Sequence, residues 1–138
     1  MARSPARAWT GLRALVAEDN PLVRELLDAF LTRQGAQVTA VADGDAALAA
    51  CATQEFSVRL LDWMMPGRDG LATARAIRTQ GGGGPQPFII GLSAHAGAAA
   101  FAEAHTAGMD AFLAKPVDLA LLAHVIGQAP GVPELPLV

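Results

Sequence analysis

The sequence contains one cysteine, no tyrosine and few aromatic residues of any kind. Aromatic residues make up 5% of the 138 residues, which argues against a surface that stacks nucleic-acid bases. The single cysteine, Cys51, excludes an internal disulfide framework and fits a reducing, cytoplasmic setting. Ten basic residues against thirteen acidic ones give a formal charge of −3, so we expect no direct nucleic-acid binding.

Long apolar runs are also missing from the sequence. No run approaches the roughly 18–20 residues that are needed to cross a bilayer, so we expect no direct membrane insertion. The first eleven residues carry Arg3 and Arg7 but no apolar stretch, which argues against a signal peptide. A chain of 138 residues with 52% hydrophobic residues is instead typical of one compact domain.

Apolar runs rich in β-forming residues alternate with helical patterns along the chain. The predicted strands lie at 12–17, 37–41, 56–61, 88–92 and 111–114. The predicted helices lie at 21–34, 43–51, 70–79, 97–107 and 118–127. Asn20 is the predicted N-cap of the first helix, and Gly35 is predicted to end it. This alternation predicts an α/β fold, with a parallel sheet covered by helices on both faces.

The order of strands in the sheet follows from the polar residues at the strand ends. Polar residues follow the first, third, fourth and fifth predicted strands. The doubly wound, flavodoxin-like order 2-1-3-4-5 brings these four ends together beside the switch point between strands 1 and 3. We therefore predict a five-stranded sheet in this order.

Three segments are expected from the composition along the chain. Residues 12–128 form the domain, residues 1–11 are a linker or a disordered N-terminus, and residues 129–138 form a Pro-rich tail.

Arg59 interrupts the third apolar run, and we expect it at a sheet edge or with its stem lying along apolar surface.

The residues at the strand ends carry the chemistry. Glu18 and Asp19 follow the first strand, Asp62 ends the third, Ser93 follows the fourth and Lys115 follows the fifth. Neighbouring strand ends lie roughly 5 Å apart, where two carboxylates repel by about 3 kcal/mol at an effective dielectric constant of about 20. Such a cluster favours a bound Mg²⁺ or a raised pKa. An aspartate in this setting can form an acyl phosphate, with the lysine and serine facing it.

Four motifs in this order resemble the receiver domain of two-component response regulators, over roughly residues 12–128. They are LVAEDN (15–20), LLDWMMPGRDG (60–70), GLSAHA (91–96) and AGMDAFLAKP (107–116). Among receiver domains, the sequences of these motifs are most similar to those of hybrid sensor histidine kinases. The resemblance implies the receiver version of the flavodoxin-like fold.

The resemblance also implies a metal site and a phosphoacceptor. Asp62 would accept the phosphoryl group, and Mg²⁺ would be held by Asp19, by Asp62, by the backbone carbonyl of Met64 and by Glu18 through water. Met64 and His95 occupy the two positions that tune the rate of dephosphorylation in similar domains.

Further roles implied by the resemblance concern the phosphoryl group and the switch. Ser93, the amide of Ala94 and Lys115 would bind the phosphoryl group. Ser93 and Phe112 would act as the switch pair, and the peptide bond before Pro116 is expected to be cis.

The resemblance implies a partner and a setting as well. The phosphodonor would be a histidine kinase or a histidine phosphotransfer domain, and the receiver would catalyse its own phosphorylation and dephosphorylation. We expect a cytoplasmic location, or the cytoplasmic portion if the domain is part of a membrane-bound hybrid kinase. A weak homodimer is left open.

Four alternatives compete with this interpretation. A free-standing single-domain regulator fits the same motifs, and a non-phosphorylated pseudo-receiver would be expected to lack one of the acids or Lys115. Aspartyl phosphatases usually have a second aspartate two residues after the first, where Met64 stands. A flavodoxin-like FMN protein would need a phosphate-binding loop rich in Ser, Thr and Gly, where the sequence has EDNPLVR (18–24).

Overall fold

A computed structural model describes residues 8–80, 88–94 and 97–133. It contains a five-stranded parallel sheet in the order β2-β1-β3-β4-β5, which confirms the predicted strand order. The strands are β1 (Arg13–Ala17), β2 (Gln37–Val41), β3 (Val58–Asp62), β4 (Phe88–Ser93) and β5 (Ala111–Ala114). The helices are α1 (Pro21–Arg33), α2 (Gly44–Thr53), α3 (Gly70–Gln80), α4 (Ala98–Thr106) and α5 (Leu119–Ile126).

The helices cover the two faces of the sheet in separate groups. Side chains of α1 and α5, such as Leu27 and Leu122, pack with Val16 of β1 on one face. Side chains of α2, α3 and α4, such as Ile77, pack with Leu15 on the other. Because successive side chains of a strand point to opposite faces, β1 contributes to both clusters and is fully buried after its first residue.

The loop after β1 is kept short by the cap of α1. The Asn20 side chain accepts hydrogen bonds from the amides of Leu22 and Val23, which confirms Asn20 as the N-cap. At the far end of α1, Gly35 has a φ of 100°, a conformation that favours glycine. The short turn it allows returns the chain to the sheet as β2, and both helix ends therefore lie where the sequence predicts them.

The packed body extends beyond the expected 12–128 segment. Trp9 is 1% exposed, packs edge-on against Phe30, and donates its indole N–H to the carbonyl oxygen of Pro133 over 2.8 Å. Val132 is also buried in the same cluster. Apolar contact therefore holds residues 8–11 and 129–133 against the domain, although composition suggested a linker and a tail; residues 1–7 and 134–138 lie outside the described residues.

Arg59 lies in the middle of the sheet, so the first of its two expected placements, at a sheet edge, is wrong. Its strand, β3, is the central strand, and Arg59 is 7% exposed. The guanidinium lies over the Phe56 ring and donates from Nε to the Cys51 sulfur over 3.1 Å. Burial lowers the pKa of Arg59 and raises that of the Cys51 thiol.

In the described part of the chain, no helix combines the length and the apolar character that crossing a membrane requires.

Candidate functional site

Three carboxylates meet at the carboxyl ends of β1 and β3. These strands are paired with Ala17 beside Leu61, so the next residues along each strand, Glu18 and Asp62, are neighbours. One oxygen from each of Glu18, Asp19 and Asp62 lies within 4.8 Å of the others. Glu18 and Asp62 are buried, whereas Asp19 is exposed. The structure therefore brings together the acids that the sequence places at two strand ends.

Lys115 reaches this cluster from the end of β5. Its Nζ lies 2.7 Å from Glu18 Oε1 and 3.1 Å from Asp62 Oδ1. The preceding strand is fixed by pairing between Ser93 and Ala114, and the Lys115 amide donates to the Ser93 carbonyl over 2.7 Å. The peptide between Lys115 and Pro116 is cis, as the resemblance implied.

The end of β4 lies between β3 and β5. Ser93 is 3% exposed and ends this strand, and Ala94 follows as an exposed residue that lines the same cleft as Asp62 and Lys115. The cleft has a volume of about 440 Å³. His95 lies outside the described residues, and its predicted position beside the site stays a prediction.

The segment after Asp62 turns tightly over the site. The Met64 amide approaches Asp62 Oδ1 at 3.4 Å, while the Met64 side chain is 66% exposed. A Cβ at Gly70 would collide with the Asp62 carbonyl oxygen. Glycine at this position therefore lets the start of α3 pack directly against the backbone that carries Asp62.

The electrostatics of the cluster favour a proton or a cation on Asp62. Burial, and then the neighbouring Glu18, raise the pKa of Asp62 to about 7, although Lys115 opposes the shift. Burial alone would lower the pKa of Lys115, but the carboxylates of Glu18 and Asp62 outweigh burial and raise it. The lysine is therefore a permanent cation at neutral pH, and Asp62 is the group whose charge depends on what binds.

Three aromatic rings connect the site to α4. Phe112, on β5, is 6% exposed and lies edge-on between Trp63 and Phe101, with ring centroids 5.0 Å and 5.1 Å away. Trp63 follows Asp62 directly, and Phe101 is 49% exposed on α4. Phe112, the predicted switch residue, therefore lies inside an aromatic cluster. The contact between Phe101 and Phe112 was not predicted from the sequence.

Sequence reasoning also missed Arg24. Its Nη1 donates to the carbonyl oxygen of Glu18 over 2.9 Å and approaches that of Asp19 at 3.4 Å. The only available signal was its place four residues after the predicted cap Asn20, one helical turn away on the side of the loop.

Comparisons with known proteins point to one family. The family model for the response regulator receiver domain matches residues 14–127. The sensor histidine kinase GacS of Pseudomonas protegens is 39% identical over 117 residues, covering 83% of this chain and 13% of GacS. The transcriptional activator protein PfeR of Pseudomonas aeruginosa is 38% identical over 110 residues, covering 80% of this chain and 35% of PfeR. The chain thus spans well under half the length of these relatives.

A solved structure gives the same fold. The receiver domain of the sensor histidine kinase PA1611 from Pseudomonas aeruginosa superposes with a TM-score of 0.78 and 34% sequence identity. The match covers 86% of this chain and 96% of that domain. That crystal structure has a magnesium ion coordinated in its active site cleft.

Proposed function

This chain belongs to the response regulator receiver domain family of two-component signalling, and we propose that Asp62 is its phosphoacceptor. The observation that carries the proposal is the contact between a buried carboxylate and an ammonium group, Asp62 Oδ1 and Lys115 Nζ, 3.1 Å apart. The two groups lie beside further acids at an open cleft, where a phosphodonor has access.

The proposed reaction moves a phosphoryl group from a phosphohistidine to Asp62. A carboxylate oxygen of Asp62 forms the new O–P bond while the P–N bond breaks, and the electron pair of that bond stays on the imidazole nitrogen. Lys115 carries the positive charge that balances the phosphoryl oxygens, and the hydroxyl of Ser93 and the amide of Ala94 donate hydrogen bonds to them.

We propose that Mg²⁺ is the cofactor, held by Asp19, Asp62, the Met64 carbonyl and, through water, Glu18. Two oxygens bound to one Mg²⁺ are at most roughly 4.2 Å apart. The spread of the three acids, up to 4.8 Å, fits two direct carboxylate ligands with the third acid bridged by water. Bound Mg²⁺ supplies positive charge to the carboxylates and the phosphoryl oxygens.

The protonation of Asp62 supports the need for such a cation. With a pKa of about 7, much of the metal-free protein carries a neutral Asp62 at neutral pH. A neutral carboxylic acid is a poor nucleophile, whereas a nearby cation stabilises the ionised form. Lys115 alone does not bring the pKa of Asp62 back to its ordinary range, and a second cation beside the carboxylate would lower this pKa further.

We propose that phosphorylation acts on a pre-existing equilibrium at the face formed by α4, β5 and α5. A phosphoryl group adds about −1.5 to −2 charges to a crowded site, and Ser93 and Phe112 are the side chains that respond. The contacts of Phe112 with Trp63 and Phe101 support this path, because a movement of the Phe112 ring changes its packing against both neighbours. Met64 and His95 are the proposed tuning residues for loss of the phosphate.

The proposed donor is a phosphohistidine on a histidine kinase or a histidine phosphotransfer domain. Leu22 and Met64 line the same cleft as Asp62 and are 76% and 66% exposed, and Leu26 follows one turn along α1 at 49%. Exposed apolar side chains around a reactive group indicate a docking surface for a protein, here a donor helix. Similarity to GacS and to the PA1611 receiver supports a hybrid kinase as the parent protein.

Phosphorylation by a small donor tests the acceptor. We expect acetyl phosphate with Mg²⁺ to add one acid-labile, hydroxylamine-sensitive phosphoryl group, measured by intact mass, and Asp62→Asn to abolish it. Asp69→Asn is the matched control, because Asp69 is an exposed aspartate in the same loop and should leave the modification intact. A modification that persists in Asp62→Asn refutes the assignment, and so does an unmodified wild type.

Metal binding is tested separately with tryptophan fluorescence. Trp63 adjoins Asp62, and the second tryptophan, Trp9, is removed as background by Trp9→Phe. We expect Mg²⁺ to change the Trp63 emission of this variant in a saturable way, and Asp19→Asn to weaken the response. A flat titration in the Trp9→Phe protein rejects the metal site.

A further inference from the structure

The guanidinium group of Arg24 is hydrogen-bonded to the loop that carries Glu18 and Asp19, two of the three clustered acids. Arg24 is the fourth residue of α1, and its side chain is partly buried. Its Nη1 donates to the Glu18 carbonyl over 2.9 Å and lies 3.4 Å from the Asp19 carbonyl. The contact is therefore with the backbone of the loop between β1 and α1.

Two backbone amides of the same loop also donate hydrogen bonds. The Glu18 amide donates to the Val41 carbonyl over 3.0 Å, and the Asn20 amide donates to Glu18 Oε2 over 3.1 Å. Arg24 adds the contacts on the carbonyl side. The Glu18 carbonyl belongs to the peptide between Glu18 and Asp19, and the Asp19 carbonyl to the peptide between Asp19 and Asn20. The contacts of Arg24 therefore fix the peptide planes on both sides of Asp19, and with them the direction in which the Asp19 carboxylate leaves the backbone.

We propose that Arg24 is a positioning residue that preorganises the acidic cluster for a divalent cation. The inference rests on the proposed metal site and adds to it the group that holds two of its ligands in place. Residues that orient metal ligands are a large part of the affinity of such sites. The proposal assigns Arg24 no contact with the phosphoryl group or the metal.

Charge and positioning predict opposite effects of removing Arg24. A cation near the cluster repels Mg²⁺, so loss of its charge alone would tighten metal binding. Loss of the two carbonyl contacts frees the loop, so loss of positioning would weaken binding. The direction of the change in affinity therefore separates the two roles.

The experiment is a Mg²⁺ titration in the full chain carrying Trp9→Phe, followed by Trp63 fluorescence. We expect Arg24→Gln to raise the dissociation constant by about 10–100-fold. Arg24→Lys keeps the charge but lacks the planar fork, and should weaken binding less. Arg33→Gln is the control, because Arg33 is an exposed arginine in the last turn of the same helix and should leave the affinity unchanged.

Each outcome separates the inference from the proposed function. If the Trp9→Phe protein binds Mg²⁺ and the additional Arg24→Gln change leaves the affinity equal or higher, the positioning role is refuted while the metal site stands. If the Trp9→Phe protein gives no response, the proposed metal site itself is rejected. Urea unfolding of each variant checks that it is folded. If Arg24→Gln does not fold, the Arg24→Lys variant is used instead. A Mg²⁺ affinity in Arg24→Lys equal to that of the Trp9→Phe protein would then overturn the inference.

Discussion

Lys115 contacts Asp62 although their strands are not neighbours in the sheet. Nζ of Lys115 lies 3.1 Å from Oδ1 of Asp62, and β4 separates β5 from β3. Two strand spacings are roughly 9.5 Å, and the lysine stem, the aspartate side chain and the 3.1 Å contact together cover this distance along the end of β4. Lys115 is the sole lysine in the sequence, so its contribution can be removed or observed without interference from another lysine side chain.

Removing this ammonium group should slow phosphorylation. We expect Lys115→Met to lower the rate of modification by acetyl phosphate by about 100–1000-fold, because charge on the phosphoryl oxygens loses its balancing cation. The rate is measured by intact mass against time. Arg75→Gln removes an exposed positive charge from α3 and should phosphorylate like wild type; equal rates in the two variants would remove Lys115 from the mechanism.

The stability of the metal-free protein should fall as pH rises. The folded state raises the pKa of Asp62 from 3.8 to about 7, so between these values it holds a proton that the unfolded chain has lost. The contribution of Asp62 to the free energy of unfolding is therefore fully present below about pH 4 and is lost as the pH rises to about 7. Urea unfolding in the presence of a chelator should give this slope in wild type and a shallower one in Asp62→Asn; identical slopes would show that Asp62 ionises normally.

The strand order and the acidic cluster were predictable because their signals are local. Polar residues directly after apolar runs mark strand ends, and a parallel sheet brings such ends to one edge. The positions of Glu18, Asp62 and Lys115 along the chain are therefore enough to group them. The contact of Arg24 with loop carbonyls was not predictable, because sequence spacing does not specify which backbone atoms a long side chain reaches.

The terminal segments were unpredictable for a different reason. Trp9 and Pro133 are 124 residues apart, and a tryptophan among prolines, arginines and alanines has no local pattern that indicates burial. The sheet-edge alternative for Arg59 was wrong because a charge in a strand favours an edge, whereas the structure buries this guanidinium in the central strand beside a sulfur and an aromatic ring.

The Trp9 contact should contribute measurably to stability. We expect Trp9→Phe, which removes the hydrogen bond to Pro133, to lower the free energy of unfolding by about 0.5–1.5 kcal/mol. Trp9→Ala should cost about 3–5 kcal/mol. Urea unfolding measures both. Leu22→Ala is the control because Leu22 is 76% exposed; a Trp9→Ala protein as stable as this control would place Trp9 outside the folded core.

Arg59 should be replaceable with a gain in stability. Its Nη1 is buried without a hydrogen-bond partner among the described residues, so the folded state carries an incompletely satisfied charge. We expect Arg59→Leu to raise the free energy of unfolding by about 1–4 kcal/mol. Arg13→Leu, at an exposed strand position, should change it by no more than about 0.5 kcal/mol. A large loss of stability in Arg59→Leu would mean that the guanidinium is fully paired.

The most direct test of the account uses the single lysine as a reporter. Selective ¹⁵N-lysine labelling gives one backbone amide signal, from Lys115, whose N–H is bonded to the Ser93 carbonyl inside the site. Acetyl phosphate with Mg²⁺ should move this signal to a new position in wild type, and the donor-dependent position should be absent in Asp62→Asn. A signal that ignores the phosphodonor, or that moves equally in Asp62→Asn, would contradict phosphorylation of Asp62.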